Sequence, residues 1–174
     1  MVVMFAPLGI VLAMSFGVVR MQESTAKALY WLLTFTMGLS LSAVFLRYTG
    51  ASIAQTFFAT AVAFGGLSLF GYVTKRDLAP IGSFLVMAVW GLIAAMLINM
   101  FVRSSAMELL ISLVGVVLFA GLTAWNTQQI KSGYYAVRGT AMMGKSAVMG
   151  ALQLYLDFIN MFLFLLRFMG NSRN

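Results

Sequence analysis

Six long apolar runs, divided by short polar breaks, set the pattern of this chain. They cover residues 2–19, 28–46, 51–73, 80–102, 109–125 and 147–168. Each is close to the ~20 residues a helix needs to cross a hydrocarbon core. The breaks fall at 20–27, 47–50, 74–79, 103–108 and, longest of all, 128–146. In lipid no backbone amide or carbonyl can stay unpaired, so runs this apolar predict helices rather than open strands. The first run has neither a basic leading segment nor a small-residue cleavage site, so it reads as a span and not a signal peptide. The expected fold is all-α, a polytopic transmembrane helix bundle of six spans forming a single domain over residues 1–174.

Composition strengthens this picture. Hydrophobic residues make up 62% of the chain and charged residues only 9%, with a mean hydropathy of +0.98. A soluble domain is roughly one-quarter charged, so too few polar groups are present here to coat a water-facing surface. The net charge of +7 raises the question of nucleic acid. The basic residues, however, sit singly or in pairs between the apolar runs and do not gather with aromatics on one element, so no nucleic-acid partner is expected. They flank spans, and the lipid bilayer is the partner they imply.

The same residues predict an orientation. The first, third and fifth connections carry Arg20, Lys27, Lys75, Arg76, Lys131, Arg138 and Lys145, against Arg47, Arg103, Arg167 and Arg173 on the other side. The positive-inside bias puts the richer loops in the cytoplasm and both chain ends outside.

Cys and His are both absent. That removes disulfides, thiolate and imidazole metal ligation, and catalysis by either residue. A serine protease within the membrane would lack a base, and an aspartyl protease needs two carboxylates sharing a proton. No Gly-rich phosphate loop is present. No enzymatic activity and no cofactor are expected, and no metal site is assigned.

One acid stands apart from the other three. Glu23 and Asp77 fall in connections, and Glu108 opens a span at its outer edge, but Asp157 lies deep in an apolar run. A charged side chain at bilayer depth costs ~2.5–3.5 kcal/mol on insertion scales, which makes idle acids rare there. Gly150, Gln153, Asp157, Asn160 and Phe164 recur at three- and four-residue steps and so share one helix face. The last helix therefore buries a narrow polar stripe, in protein or along a water-filled path. Being apolar nearly all round otherwise, it is expected at the centre of the bundle. The competing account is a protonated structural carboxyl hydrogen-bonded to a neighbour.

Weaker signals accompany it. Thr123, Asn126, Thr127 and Ile130 share a face at the end of the fifth run, where ordinary helix-end polarity explains them equally well. Asn99 reads as an interhelical hydrogen bond. The four-residue steps Ala61 to Gly65 and Ala59 to Ala63 suggest a contact face, although chance spacing accounts for them as readily.

Taken in order, several motifs resemble the Bax inhibitor-1 family in its bacterial YccA-like branch. They are Phe5-Ala6-Pro7-Leu8-Gly9, Thr56-Phe57-Phe58-Ala59-Thr60-Ala61, Gly71-Tyr72-Val73-Thr74-Lys75-Arg76-Asp77-Leu78, Gly82-Ser83-Phe84-Leu85 and Asn99-Met100-Phe101. The most specific is Gly150-Ala151-Leu152-Gln153-Leu154-Tyr155-Leu156-Asp157-Phe158-Ile159-Asn160, trailed by Leu165-Leu166-Arg167. The resemblance implies a seven-helix fold with the last helix central, so this chain is expected to begin at the family's second helix. It also implies a bacterial inner-membrane location.

The family's pattern at the end of its sixth helix looks like aromatic-Asp-Thr-Gln-x-Ile-Lys. Here it reads Trp125-Asn126-Thr127-Gln128-Gln129-Ile130-Lys131. The family's paired aspartates, thought to share a proton and latch a pore, thus become Asn126 and Asp157. Arg20 is a further candidate as a cationic partner, and Gln153, Asn160 and Thr123 would support the site. An amide can hydrogen-bond a carboxyl in either protonation state but does not titrate, so a weakened pH response is expected. The implied function is a pH-modulated calcium leak channel. The alternative is a non-conducting regulatory protein that binds a membrane AAA protease or another membrane partner.

Overall fold

The computed structural model describes residues 2–17 and 20–171. Residues 18–19 of the first expected span and Arg173 of the charge count lie outside them. Six helices follow in order: α1 (Val2–Gly17), α2 (Glu23–Arg47), α3 (Gly50–Val73), α4 (Ala79–Val102), α5 (Ser105–Val137) and α6 (Met143–Met169). There is no strand among the described residues. The helices α2 to α6 are each long and apolar enough to cross a membrane. Over its 16 described residues α1 is shorter, ~24 Å at 1.5 Å per residue.

The ends follow local chemistry. Thr49 caps α3 by accepting the Ser52 amide, and Ser104 caps α5 by accepting the Met107 amide, both at 3.3 Å. Pro80 sits in the first turn of α4, where its missing N–H leaves no bond unmade.

One boundary differs from the sequence reading. The long break at 128–146 is mostly helix: α5 runs 33 residues to Val137, and α6 begins at Met143. At ~50 Å, α5 is longer than a hydrocarbon core is thick. Beyond the core its side chains no longer need to be apolar, yet each further residue still adds an i to i−4 hydrogen bond. Hydropathy records where lipid ends, not where the helix does.

Two helices form the centre. α6 packs against α5, α3 and α2, and α5 packs against α6, α3 and α4, while α1 joins the bundle on α2. The last helix is central as expected, though it shares that place with α5. Two apolar clusters hold the layers together. Leu85 and Leu92 of α4 meet Ile111, Leu118 and Leu122 of α5 and Phe164 of α6. Met14 of α1, Leu33 of α2 and Leu152 of α6 form the other.

The contact face of α3 is not the one the small residues suggested. Ala59, Ala63 and Gly65 are exposed, and a Cβ at Gly65 would meet nothing. The buried positions are Ser52, Thr56, Thr60 and Gly71. Thr60 donates its hydroxyl to the Thr56 carbonyl at 2.7 Å, so this polar side chain can face protein without an unmade bond. Phe57 and Phe64 of the same helix pack edge-on against Phe158 of α6.

Candidate functional site

Three consecutive residues of α5 place the site. Successive helical residues point about 100° apart, so Ala124, Trp125 and Asn126 address three different helices. The Ala124 backbone lies against Gly71 of α3, where any Cβ would strike its carbonyl. The Trp125 ring covers Gly82 of α4 in the same way. With two neighbours wedged, Asn126 is left facing α6. There its Nδ2 donates to Oδ2 of Asp157 at 2.7 Å, linking residues 31 apart in sequence. Asp157 is 5% exposed within the bundle.

The stripe on α6 turns towards α5 along most of its length. Gly150 lies under Ile130 and Phe164 lies on Gly115, with Phe164 also stacked on Phe119 at 5.8 Å between ring centres. The remaining predicted residues divide. Thr123 is fully buried, but its hydroxyl donates to the Phe119 carbonyl, and that of Thr127 to the Thr123 carbonyl, each at 2.7 Å. Asn160 returns its amide to the Leu156 carbonyl at 2.8 Å. These three satisfy their own helices and none bonds to Asp157.

Gln153 is exposed and lines a cavity of about 410 Å³ with Trp90 and Ile93 of α4 and Trp125, Asn126 and Gln129 of α5. The cavity reaches the amide side of the Asn126–Asp157 pair. Arg20 stands exposed in the turn after α1, its backbone N–H on the Gly17 carbonyl, and makes no bond to Asp157 among the described residues. It is not brought to the site. Asn99 ties α4 to the start of α5: its Oδ1 accepts the amide of Ser104, the α5 cap residue, at 3.0 Å and closes the turn between them. The turn leaves a backbone donor at the start of α5, and the Asn99 amide oxygen takes it.

Several positioning residues had no part in the sequence reading of the site. Gln128 accepts the Leu78 amide at 2.9 Å and donates to the Arg76 carbonyl at 2.8 Å. Lys131 donates to the Tyr72 carbonyl at 2.7 Å, with its ammonium 4.4 Å from the centre of the Tyr72 ring. Gln128 ties the connection between α3 and α4, and Lys131 the last turn of α3, to the same stretch of α5 that presents Asn126. Ser52-Thr56-Thr60 at four-residue steps was the signal for the α3 face, and Gly71 and Gly82 for its close approaches.

Comparison with known proteins agrees with this architecture. The family model described as "Inhibitor of apoptosis-promoting Bax1" matches residues 1–174. The chain belongs to the Bax inhibitor-1 family. It is 50% identical over 173 residues to the uncharacterized protein RP147 of Rickettsia prowazekii (strain Madrid E), covering 99% of this chain and 73% of that one. An uncharacterized protein of Caulobacter vibrioides is 51% identical over 174 residues, 99% and 70% of the two chains. Inner membrane protein YbhL of Escherichia coli (strain K12) is 43% identical over 170 residues, 97% and 73%.

In this Bax inhibitor-1 family protein the Asn126–Asp157 pair is chemically asymmetric. The carboxyl can gain or lose a proton, while the amide keeps both its donor and its acceptor throughout. No group of three His, Cys, Asp or Glu side chains able to hold a metal ion occurs among the described residues. Any hard cation here would meet one carboxylate, with amide and carbonyl oxygens making up the rest.

Proposed function

We propose that this membrane protein is a pH-modulated calcium leak of the Bax inhibitor-1 type, seated in a bacterial inner membrane, with Asp157 and Asn126 at its closure. The observation that carries the reading is the 2.7 Å bond joining the two central helices at a carboxyl buried within the bundle. Parting that bond would remove a polar tie between α5 and α6 beside their apolar contacts. A cavity lies beside Asn126, with Gln129 and Gln153 among its polar lining residues. The Lys- and Arg-rich connections would face the cytoplasm and both chain ends the other side.

The test is calcium flux in proteoliposomes from mildly acidic to mildly alkaline pH, for the protein as it stands and for Asn126→Asp. With one carboxyl hydrogen-bonded to an amide, flux should change gently with pH. A second carboxyl in contact makes the two titrate as a coupled pair, so Asn126→Asp should respond more steeply. Equal steepness in both proteins would refute the coupled latch.

One observation favours a second reading, a non-conducting regulator that binds a membrane AAA protease or another membrane partner. Calcium takes six to eight oxygen ligands as a rule, and only Asp157 among the acids lies deep in the bundle. Flux at background for both the protein and Asp157→Ala, with pull-down of a protease unchanged, would select this reading.

A further inference from the structure

A second polar centre lies at the far end of the bundle, away from the Lys-rich connections. Arg47 ends α2, Arg103 caps α4, Glu108 lies in the first turn of α5 and Arg167 in the last turn of α6. All four line one cavity of about 390 Å³, together with Asn99 and Ile111. Arg47, Glu108 and Arg167 also line an adjoining cavity of about 250 Å³. None of the three guanidinium groups makes an ion pair with Glu108 among the described residues.

Helix dipoles favour Arg47, Arg103 and Arg167 taken singly, since cations suit helix C-termini. They do not account for the backbone at Arg103. Its φ of 53° and ψ of 38° place it in the left-handed region, the only non-glycine residue with positive φ among those described. Glycine is the usual occupant of such a helix end, so the guanidinium is kept where the backbone favours having no side chain. Asn99 holds the turn that presents it. Three guanidinium groups around one carboxylate leave two positive charges without a counter-charge. They stand at the ends of helices long enough to span a ~30 Å hydrocarbon core, which carries such ends into the headgroup layer.

We propose that this cavity binds a phosphate-bearing anion, held by forked donors from Arg47, Arg103 and Arg167, with Glu108 moderating the charge. Guanidinium groups pair with phosphate oxygens two bonds at a time, as they do with carboxylates, and at a helix end beside the headgroup layer phosphate is the anion at hand. A phospholipid headgroup and free phosphate share the chemistry.

The experiment measures thermal stabilisation and retained ligand, the latter by native mass spectrometry, for the full chain in detergent. The probes are phosphatidylglycerol and inorganic phosphate, each titrated separately. Arg103→Gly should fold at least as stably without ligand, because it relieves the left-handed backbone, yet lose affinity about tenfold or more. Arg167→Gln should lose a similar factor, and Glu108→Gln should bind more tightly. Saturable binding of phosphatidylglycerol with this variant pattern supports the site and names lipid as the source. The same pattern with inorganic phosphate alone supports it with a soluble ligand. No saturable binding of either probe, or equal affinity in the parent, Arg103→Gly and Arg167→Gln, overturns the proposal.

Discussion

α4 and α6 invert the rule that holds in water. α4 carries no charged residue at all, yet most of it is exposed; α6 carries Lys145, Asp157 and Arg167, and is the most buried of the spans. In water the more apolar helix would go inside. In lipid the surroundings are as apolar as leucine, so burial offers α4 no advantage, and its Trp90 and Phe101 stay outward. The helix that goes inside is the one with groups needing partners. Asp157 finds Asn126, Gly150 admits Ile130, and Phe164 finds the gap left by Gly115. Polarity and small size, more than hydrophobicity, set the layering.

The largest expected effect tests the inner half of that comparison. At Gly150 a Cβ would already stand 3.0 Å from Ile130, and a leucine would drive α6 off α5. Overpacking of this kind costs about 1–3 kcal/mol and occasionally more. Gly150→Leu should lower the unfolding free energy read from an SDS titration by an amount near the top of that range. A variant as stable as the parent would show that the α5–α6 seam is looser than this geometry requires.

Asn126→Leu comes next. It keeps the bulk of the side chain but leaves Asp157 without its hydrogen-bond partner inside the bundle. A buried polar group deprived of its partner costs about 1–3 kcal/mol. The loss should be smaller than for Gly150→Leu, because a rotated carboxyl or a water molecule entering from the neighbouring cavity can recover part of it. Asn126→Asp in the same titration, at low pH where both acids are protonated, should restore most of the stability. Failure of that rescue would place the cost in packing and not in the bond.

How far the sequence disclosed all this depends on which force shaped each feature. The expected limits of α3 and α4 match the structure to within one residue, because lipid demands apolar side chains and the demand stops abruptly. The end of α5 was hidden for the same reason: past Trp125 the demand stops, but the backbone goes on hydrogen-bonding to Val137. Asp157 could be singled out from depth alone. Its partner could not, since periodicity shows which face a residue shares and never which helix that face meets. Asn126 came from family resemblance, and the wedging of Ala124 and Trp125 by Gly71 and Gly82 supplies the physical reason it faces α6. Small residues misled at Gly65 because lipid tolerates glycine as well as a neighbouring helix does.

That last point yields the smallest effect and the sharpest control. Gly91 lies on α4 with nothing within 4 Å of where its Cβ would be, and it is exposed on the most apolar of the spans. The change made at Gly150 should therefore be nearly silent here: Gly91→Leu is expected to shift stability by no more than about 0.5 kcal/mol. The expected sign is a small gain, because leucine is the better helix former. The same SDS titration reads both variants. If Gly91→Leu proved as costly as Gly150→Leu, that face of α4 would be a contact surface, and α4 could no longer stand as the lipid-facing member of the comparison.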